Sequence, residues 1–223
     1  QAEDGIRDVE RSRGLGDVYK RQNTTSPTVL RDLLKKEKER RAASASLYEF
    51  VKQSWHVVEP GTKFIAGWHI EEICEHLQAV TDGEIRKLLI NIPPRHSKST
   101  IVSVMWPMWE WLTQPEQKFL CASYSGNLSI RDNLKARRLI QSPWYQEQWG
   151  HMFSLSGDQN AKQRFENNKT GYRLATSVGG TATGEGGSRL ILDDPHSADP
   201  SIWKGLPRPN MVGLRPASGL GRV

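Results

Sequence analysis

The strongest limit on how this chain folds is a short apolar run that enters a polar, lysine-bearing loop and reopens as a second apolar run. Leu88-Leu89-Ile90-Asn91-Ile92 is the first run and Pro93-Pro94-Arg95-His96-Ser97-Lys98-Ser99-Thr100 is the loop. Ile101-Val102-Ser103-Val104-Met105-Trp106 is the second run. The first run, bounded by turn residues, predicts a buried strand, and the second is apolar enough for a buried helix. About a hundred residues on, Arg189-Leu190-Ile191-Leu192 predicts another strand, ending in Asp193-Asp194-Pro195-His196. Further strands are expected at 118–123 and 171–175, alternating with helical stretches such as Leu128 to Gln141. That alternation predicts an α/β layered domain with a mostly parallel sheet.

The loop and the acidic strand end carry complementary chemistry. A nucleoside triphosphate offers several anionic oxygens and a magnesium ion, so its site needs backbone N–H groups at a helix start, a lysine and a hydroxyl. Ser97-Lys98-Ser99 supplies that set, with Lys98 for the β/γ-phosphates and Ser99 for magnesium. Both glycines of the G-x-x-x-x-G-K-[ST] pattern are absent, their places being taken by Ile92 and Ser97. Asp193 is placed to hold magnesium, and Asp194 to orient and deprotonate an attacking water. Each fragment has a plainer alternative: Ser-Lys-Ser-Thr as a polar helix start, Asp-Asp-Pro as a helix cap. The order strand, loop, helix, then acidic strand favours the paired reading. Gly179-Gly180 through Gly187 lacks the strand-then-helix setting of a dinucleotide loop and is read as a mobile loop near the γ-phosphate.

Composition excludes several classes. No apolar run approaches the ~20 residues of a membrane span, and no signal peptide is visible. Cys74 and Cys121 both lie in apolar settings, as expected of a reduced intracellular protein. His69, Cys74 and His76 lack a second ligand pair at zinc spacing. The formal charge is +6, but Lys204, Arg208, Arg215 and Arg222 supply four positive charges in a tail without acids. That leaves 27 basic against 25 acidic residues elsewhere, so bulk charge alone does not mark a nucleic-acid binder.

Three segments follow from these patterns: 1–46, 47–200 and 201–223. Residues 1–22 show no periodicity and resemble translated adapter DNA, and Leu30 to Arg41 is a charge-dense helix. Residues 201–223 are rich in glycine and proline and read as an irregular, non-native tail.

Beyond the two motifs, the chain resembles the large terminase subunit of tailed bacteriophages from about Leu47 to about Ala198. The resemblance rests on Trp55-His56-Val57-Val58-Glu59-Pro60-Gly61, Trp68-His69-Ile70, the loop itself, Ala122-Ser123-Tyr124-Ser125 and Ser142-Pro143-Trp144-Tyr145. Gly157-Asp158-Gln159-Asn160 and the glycine-rich stretch before Asp193-Asp194-Pro195-His196 complete it. It implies a P-loop NTPase core, a three-layer αβα fold that is C-terminally truncated here, since a further strand would insert between the acidic strand and the loop strand.

The implied function is an ATP-driven motor that packages double-stranded viral DNA, with ATP and Mg2+ as cofactors. The resemblance implies the portal protein and the small terminase subunit as partners, a homo-oligomeric ring on the portal, no membrane partner, and residence in the bacterial host's cytoplasm. Pro94, Arg95, His96, Ser97, Lys98, Ser99 and Thr100 would surround the phosphates. Arg95 would act as a finger on transition-state charge or as a loop cap, Ser99 and Asp193 would hold the metal, and Asp194 would be catalytic. Phe64 and Trp68 fall where relatives contact adenine, although Trp68, Ile70, Ile73 and Leu77 also suit one apolar helix face. Arg131, Lys135, Arg137 and Arg138 would meet DNA phosphates, or form a solvated helix face. The competing readings are a helicase-like P-loop ATPase and a non-catalytic prophage remnant.

Overall fold

A computed structural model describes residues 26–157, 161–180 and 185–196. The expectations for the leader 1–22, for 158–160 and 181–184, and for everything from 197 onward lie outside those residues. Three helices open the described chain: α1 (Pro27–Ala45), α2 (Leu47–Val58) and α3 (Trp68–Thr81). The charge-dense α1 buries only Ala43, and Glu37 bridges Arg40 and Arg41 on its surface at 2.8 and 2.7 Å. α2 is amphipathic, burying Leu47, Phe50, Val51, Trp55 and Val58 behind its N-cap Ser46. Among the described residues no helix is long and apolar enough to cross a membrane.

The helix after the loop begins at Lys98, widens into a π-helix over Thr100–Met105 and continues as α4 (Trp106–Glu110). The widening has a local cause. In an α-helix the carbonyl of Ser103 would accept from the N–H of residue 107, which is proline and has none. The fully buried Arg173 donates to that carbonyl at 2.5 Å and also to Asn133 Oδ1. Ile101, Val104 and Met105 are completely buried, so the expected buried helix is present in this modified form.

The sheet holds β1 (Phe119–Ser123), β2 (Arg164–Glu166), β3 (Tyr172–Ser177) and β4 (Arg189–Asp193) in the order β2-β3-β1-β4. β1 runs parallel to both β3 and β4, whereas β2 is antiparallel to β3. The strands expected at 118–123, 171–175 and 189–193 are therefore found, and the chain is α/β with a mostly parallel sheet. Helices α5 (Gly126–Gln141) and α6 (Pro143–Trp149) follow β1. Ser142 caps α6 by accepting from Tyr145 N at 3.2 Å, with Pro143 in the first turn. Ser142→Ala is expected to lower the unfolding free energy by about 1 kcal/mol, read as a fall in urea midpoint at constant slope.

Register defines the two faces of the sheet. Phe119 aligns with Arg173 and Arg189, and in-register side chains on neighbouring strands leave from one face. On that face Phe119 packs on Trp106 and Trp111 at 6.2 Å, Arg173 reaches α5, and Arg189 reaches Glu110 of α4 at 2.6 Å. The opposite face carries Leu190 and Leu192, which are 67% and 54% exposed.

The strand expected at 88–92 is not formed. Its apolar pattern correctly signals partial burial of Leu88, Ile90 and Ile92, but a strand needs a neighbour to complete its backbone hydrogen bonds. β4 ends the sheet. Between β4 and residues 86–90 lies a cleft of about 630 Å³, with Leu77, Val80, Val102 and Trp106 also in its lining.

Candidate functional site

The two chemical motifs meet at the end of the sheet where β1, β3 and β4 terminate. Lys98 Nζ donates to Asp194 Oδ1 at 2.6 Å and lies 3.4 Å from Asp193 Oδ1. Residues 96 positions apart are thus joined by one ammonium group. Burial works to lower the pKa of Lys98, but the Asp194 hydrogen bond and the charges of both carboxylates outweigh it and hold it above the ordinary 10.5. A raised lysine stays charged at all pH values below 10.5 and gives up its charge only as pH climbs through the higher folded value. The pair is therefore the state that an incoming anion meets at neutral pH.

The loop backbone turns left-handed at two non-glycine positions. Ser97, at the second glycine position, has φ +63°, and Arg95 has φ +67°. Both lie in the left-handed region that glycine adopts without cost. The helix begins immediately after, with Ile101 N donating to Ser97 O at 3.0 Å, so the N–H groups of its first turn lack helical partners. Ser97→Gly should remove the left-handed strain and stabilise the fold by about 0.5–1 kcal/mol, after the added unfolded-state entropy of glycine is set against it. A rise in denaturant midpoint checks this. Asp194 also has positive φ, +43°, and its carbonyl accepts from Tyr124 N at 3.2 Å. The bend fixes the backbone from which its carboxylate reaches Lys98.

The remaining loop residues divide by environment. Pro94, Arg95 and His96 are exposed, and Ser97, Lys98, Ser99 and Thr100 are half-buried. His96 Nδ1 lies 3.1 and 3.0 Å from the carbonyls of Pro93 and Pro94. Its ring meets His69 at 5.5 Å, and His69 in turn meets Trp68 at 6.1 Å, all edge to face. Trp68 is 79% exposed while Ile70, Ile73 and Leu77 are buried, so the structure separates Trp68 from the apolar face of α3. With His69, Ile92, Pro93 and His96 it lines an open cleft of about 430 Å³ beside the loop. Phe64 is not available to a ligand in the same way. It is half-buried against Trp55 at 5.4 Å and Tyr48 at 6.2 Å.

Two further segments gain detail from the structure. Among the basic residues of α5, Lys135 is held by Glu59 at 2.5 Å and Arg131 by Asp132 at 2.8 Å, whereas Arg138 is exposed. Glu59 also accepts from Thr100 Oγ1 at 3.3 Å, tying the end of α2 to the phosphate-type loop and to α5. The sequence signal for Glu59 was its place at a helix end before Pro60-Gly61, which carries no hint of its partners. The glycine-rich stretch is not all beside Lys98. Gly180 lies against Ser177 at the site end of β3. At the opposite end, Glu185 pairs with Arg164 at 2.9 Å and Gly186 O accepts from Tyr172.

The site therefore has a helix N-terminus, a lysine, two carboxylates, a hydroxyl at Ser99 and an aromatic-lined cleft alongside. No family profile, curated protein or solved structure matches the chain.

Proposed function

We propose that this chain is the ATP-binding core of a P-loop motor, of the kind that packages double-stranded viral DNA in large terminases. The observation that carries the nucleotide reading is the contact of Lys98 with Asp194 and Asp193, which brings the lysine of a phosphate-type loop to an acidic strand end. The left-handed Ser97 at a glycine position supports it.

The donor set fits the implied cofactors. Mg2+, when bound, would supply charge neutralisation at the phosphates, and Ser99 and Asp193 are the residues that would hold it. Lys98 and the free N–H groups of residues 97–100 would bind phosphate oxygens. Transfer of Lys98 from the carboxylates to a phosphate frees Asp194 to accept a proton from water. Arg95, exposed on the loop, would meet developing negative charge, and Trp68 would stack on the adenine beside His69.

The DNA, portal and small-terminase partners, the ring and the host cytoplasm belong to the proposal through the resemblance. The cleft beside β4 and the exposed face of Leu190 and Leu192 support a three-layer core in which a further strand and helix cover these positions. Hydrolysis is expected to require that strand in place. The engagement of Arg131 and Lys135 by Asp132 and Glu59 favours, as a second reading, a remnant that binds nucleotide without gripping DNA.

Titration with a fluorescent ATP analogue tests the nucleotide reading. Saturable, Mg2+-dependent binding displaced by ATP and by tripolyphosphate but not by adenosine is expected. Absence of saturable binding overturns the reading.

A further inference from the structure

At the site end of β1 one polar group has no partner. Ser123 is 4% exposed, and its Oγ makes no hydrogen bond among the described residues. Its backbone is fixed on both sides. Ser123 O accepts from Val178 N at 2.9 Å, and the next residue, Tyr124, donates to Asp194 O at 3.2 Å. Only the side-chain torsion is left to choose a partner. A buried hydroxyl without one leaves its desolvation uncompensated, and each such group calls for an explanation, a bound ion or a catalytic role among them.

Register says where that hydroxyl faces. Ser123 aligns with Asp193 on β4 and with Ser177 on β3, so all three side chains leave the same face of the sheet. That face is the one on which Asp193 approaches Lys98 at 3.4 Å. In the unliganded arrangement Lys98 is the cation beside Asp193. When Lys98 moves to phosphate, Asp193 loses that neighbour, and the closest in-register donor on the adjoining strand is Ser123.

We propose that Ser123 is a positioning residue for the metal-holding carboxylate: its hydroxyl donates to Asp193 once Lys98 has left, fixing the carboxylate for a divalent cation. The proposal rests on the nucleotide reading and adds to it a residue outside both motifs. No bond is made or broken in this step, since the proton stays on Ser123 Oγ and only its acceptor is gained.

The test compares binding of a fluorescent ATP analogue with and without Mg2+ in the wild-type chain and in Ser123→Ala, Ser123→Thr and Lys98→Ala. The readout is the ratio of affinities with and without Mg2+, which a general loss of folding would not selectively change. Ser123→Ala is expected to reduce that ratio about 10- to 150-fold, the worth of one hydrogen bond to a charged group, and Ser123→Thr, which keeps the hydroxyl, to restore it. An unchanged ratio in Ser123→Ala, or an equal loss in Ser123→Thr, overturns the proposal while Mg2+-dependent binding by the wild type and its loss in Lys98→Ala leave the nucleotide reading standing. If the wild type shows no Mg2+-dependent binding, both fall together.

Discussion

Glu110→Ala is expected to destabilise the fold by about 3–5 kcal/mol, the range for removing one partner of a buried ion pair. Glu110 is fully buried at the end of α4 and receives Arg189 from the start of β4 at 2.6 and 3.0 Å. Burial pushes its carboxyl above the ordinary value and the Arg189 hydrogen bonds pull it back. Arg189 donates besides to Thr81 O at 3.4 Å, a contact too long to replace the carboxylate. The double variant Glu110→Met with Arg189→Leu should recover much of the loss, because an apolar pair leaves no uncompensated charge. The pair matters to the site as well. It joins the far end of the helix that starts at Lys98 to the far end of the strand that finishes at Asp193, holding the two motifs in facing positions. Chemical denaturation of the three variants checks the prediction, and a single-variant cost under 1 kcal/mol would contradict it.

Lys98→Ala is expected to weaken nucleotide binding by about 100-fold. Charge-assisted hydrogen bonds are worth about 1.5–3 kcal/mol each. Two to phosphate oxygens would give more than 100-fold, but the 2.6 Å contact with Asp194 must first be broken, which offsets part of the gain. The same competition gives an opposite sign at its partner. Asp194→Asn should tighten Mg2+-free ATP binding by a few-fold, since Lys98 is then released from one charge, while removing the proton acceptor for turnover. Equilibrium binding to both variants separates this competition from general damage, which would weaken binding in each.

Much of this arrangement is legible in the sequence because it depends on local pattern. The strands ending at Ser123 and Asp193 announce themselves by apolar residues running into polar ones. The loop announces itself by Lys98 and Ser99 ahead of an apolar helix. Ser97 at a glycine position counts against a phosphate loop by residue type, yet its φ of +63° shows the backbone doing what glycine would do there. What was not legible depends on neighbours. Apolar periodicity reports burial, so it cannot tell a paired strand from Leu88 to Ile92 lying unpaired across a cleft from β4. β2 has only three residues, and its pairing is set by a turn in which Asn167 Oδ1 accepts from Lys169 N and Gly171 N at 2.9 and 3.1 Å. Trp68 stands at the first position of α3, before the helix has committed a face, and spacing alone placed it with Ile73 and Leu77. The basic residues of α5 look free in sequence because Glu59, the partner of Lys135, lies 76 residues away.

The open edge of β4 also has a consequence for handling. A parallel edge strand with exposed Leu190 and Leu192 beside an apolar cleft is a template for unwanted pairing, so Leu192→Lys is expected to raise the concentration at which the chain remains monodisperse in light scattering.

On nucleotide binding, Lys98 is expected to exchange a carboxylate partner for a phosphate. A crystal structure of the chain with Mg2+ and a non-hydrolysable ATP analogue tests it most directly. Lys98 Nζ is expected to be withdrawn from Asp194 and within hydrogen-bond distance of the β- or γ-phosphate, with Ser99 and Asp193 flanking the metal. Nucleotide bound elsewhere, or Lys98 still on Asp194 with the phosphates remote from residues 97–100, would contradict it.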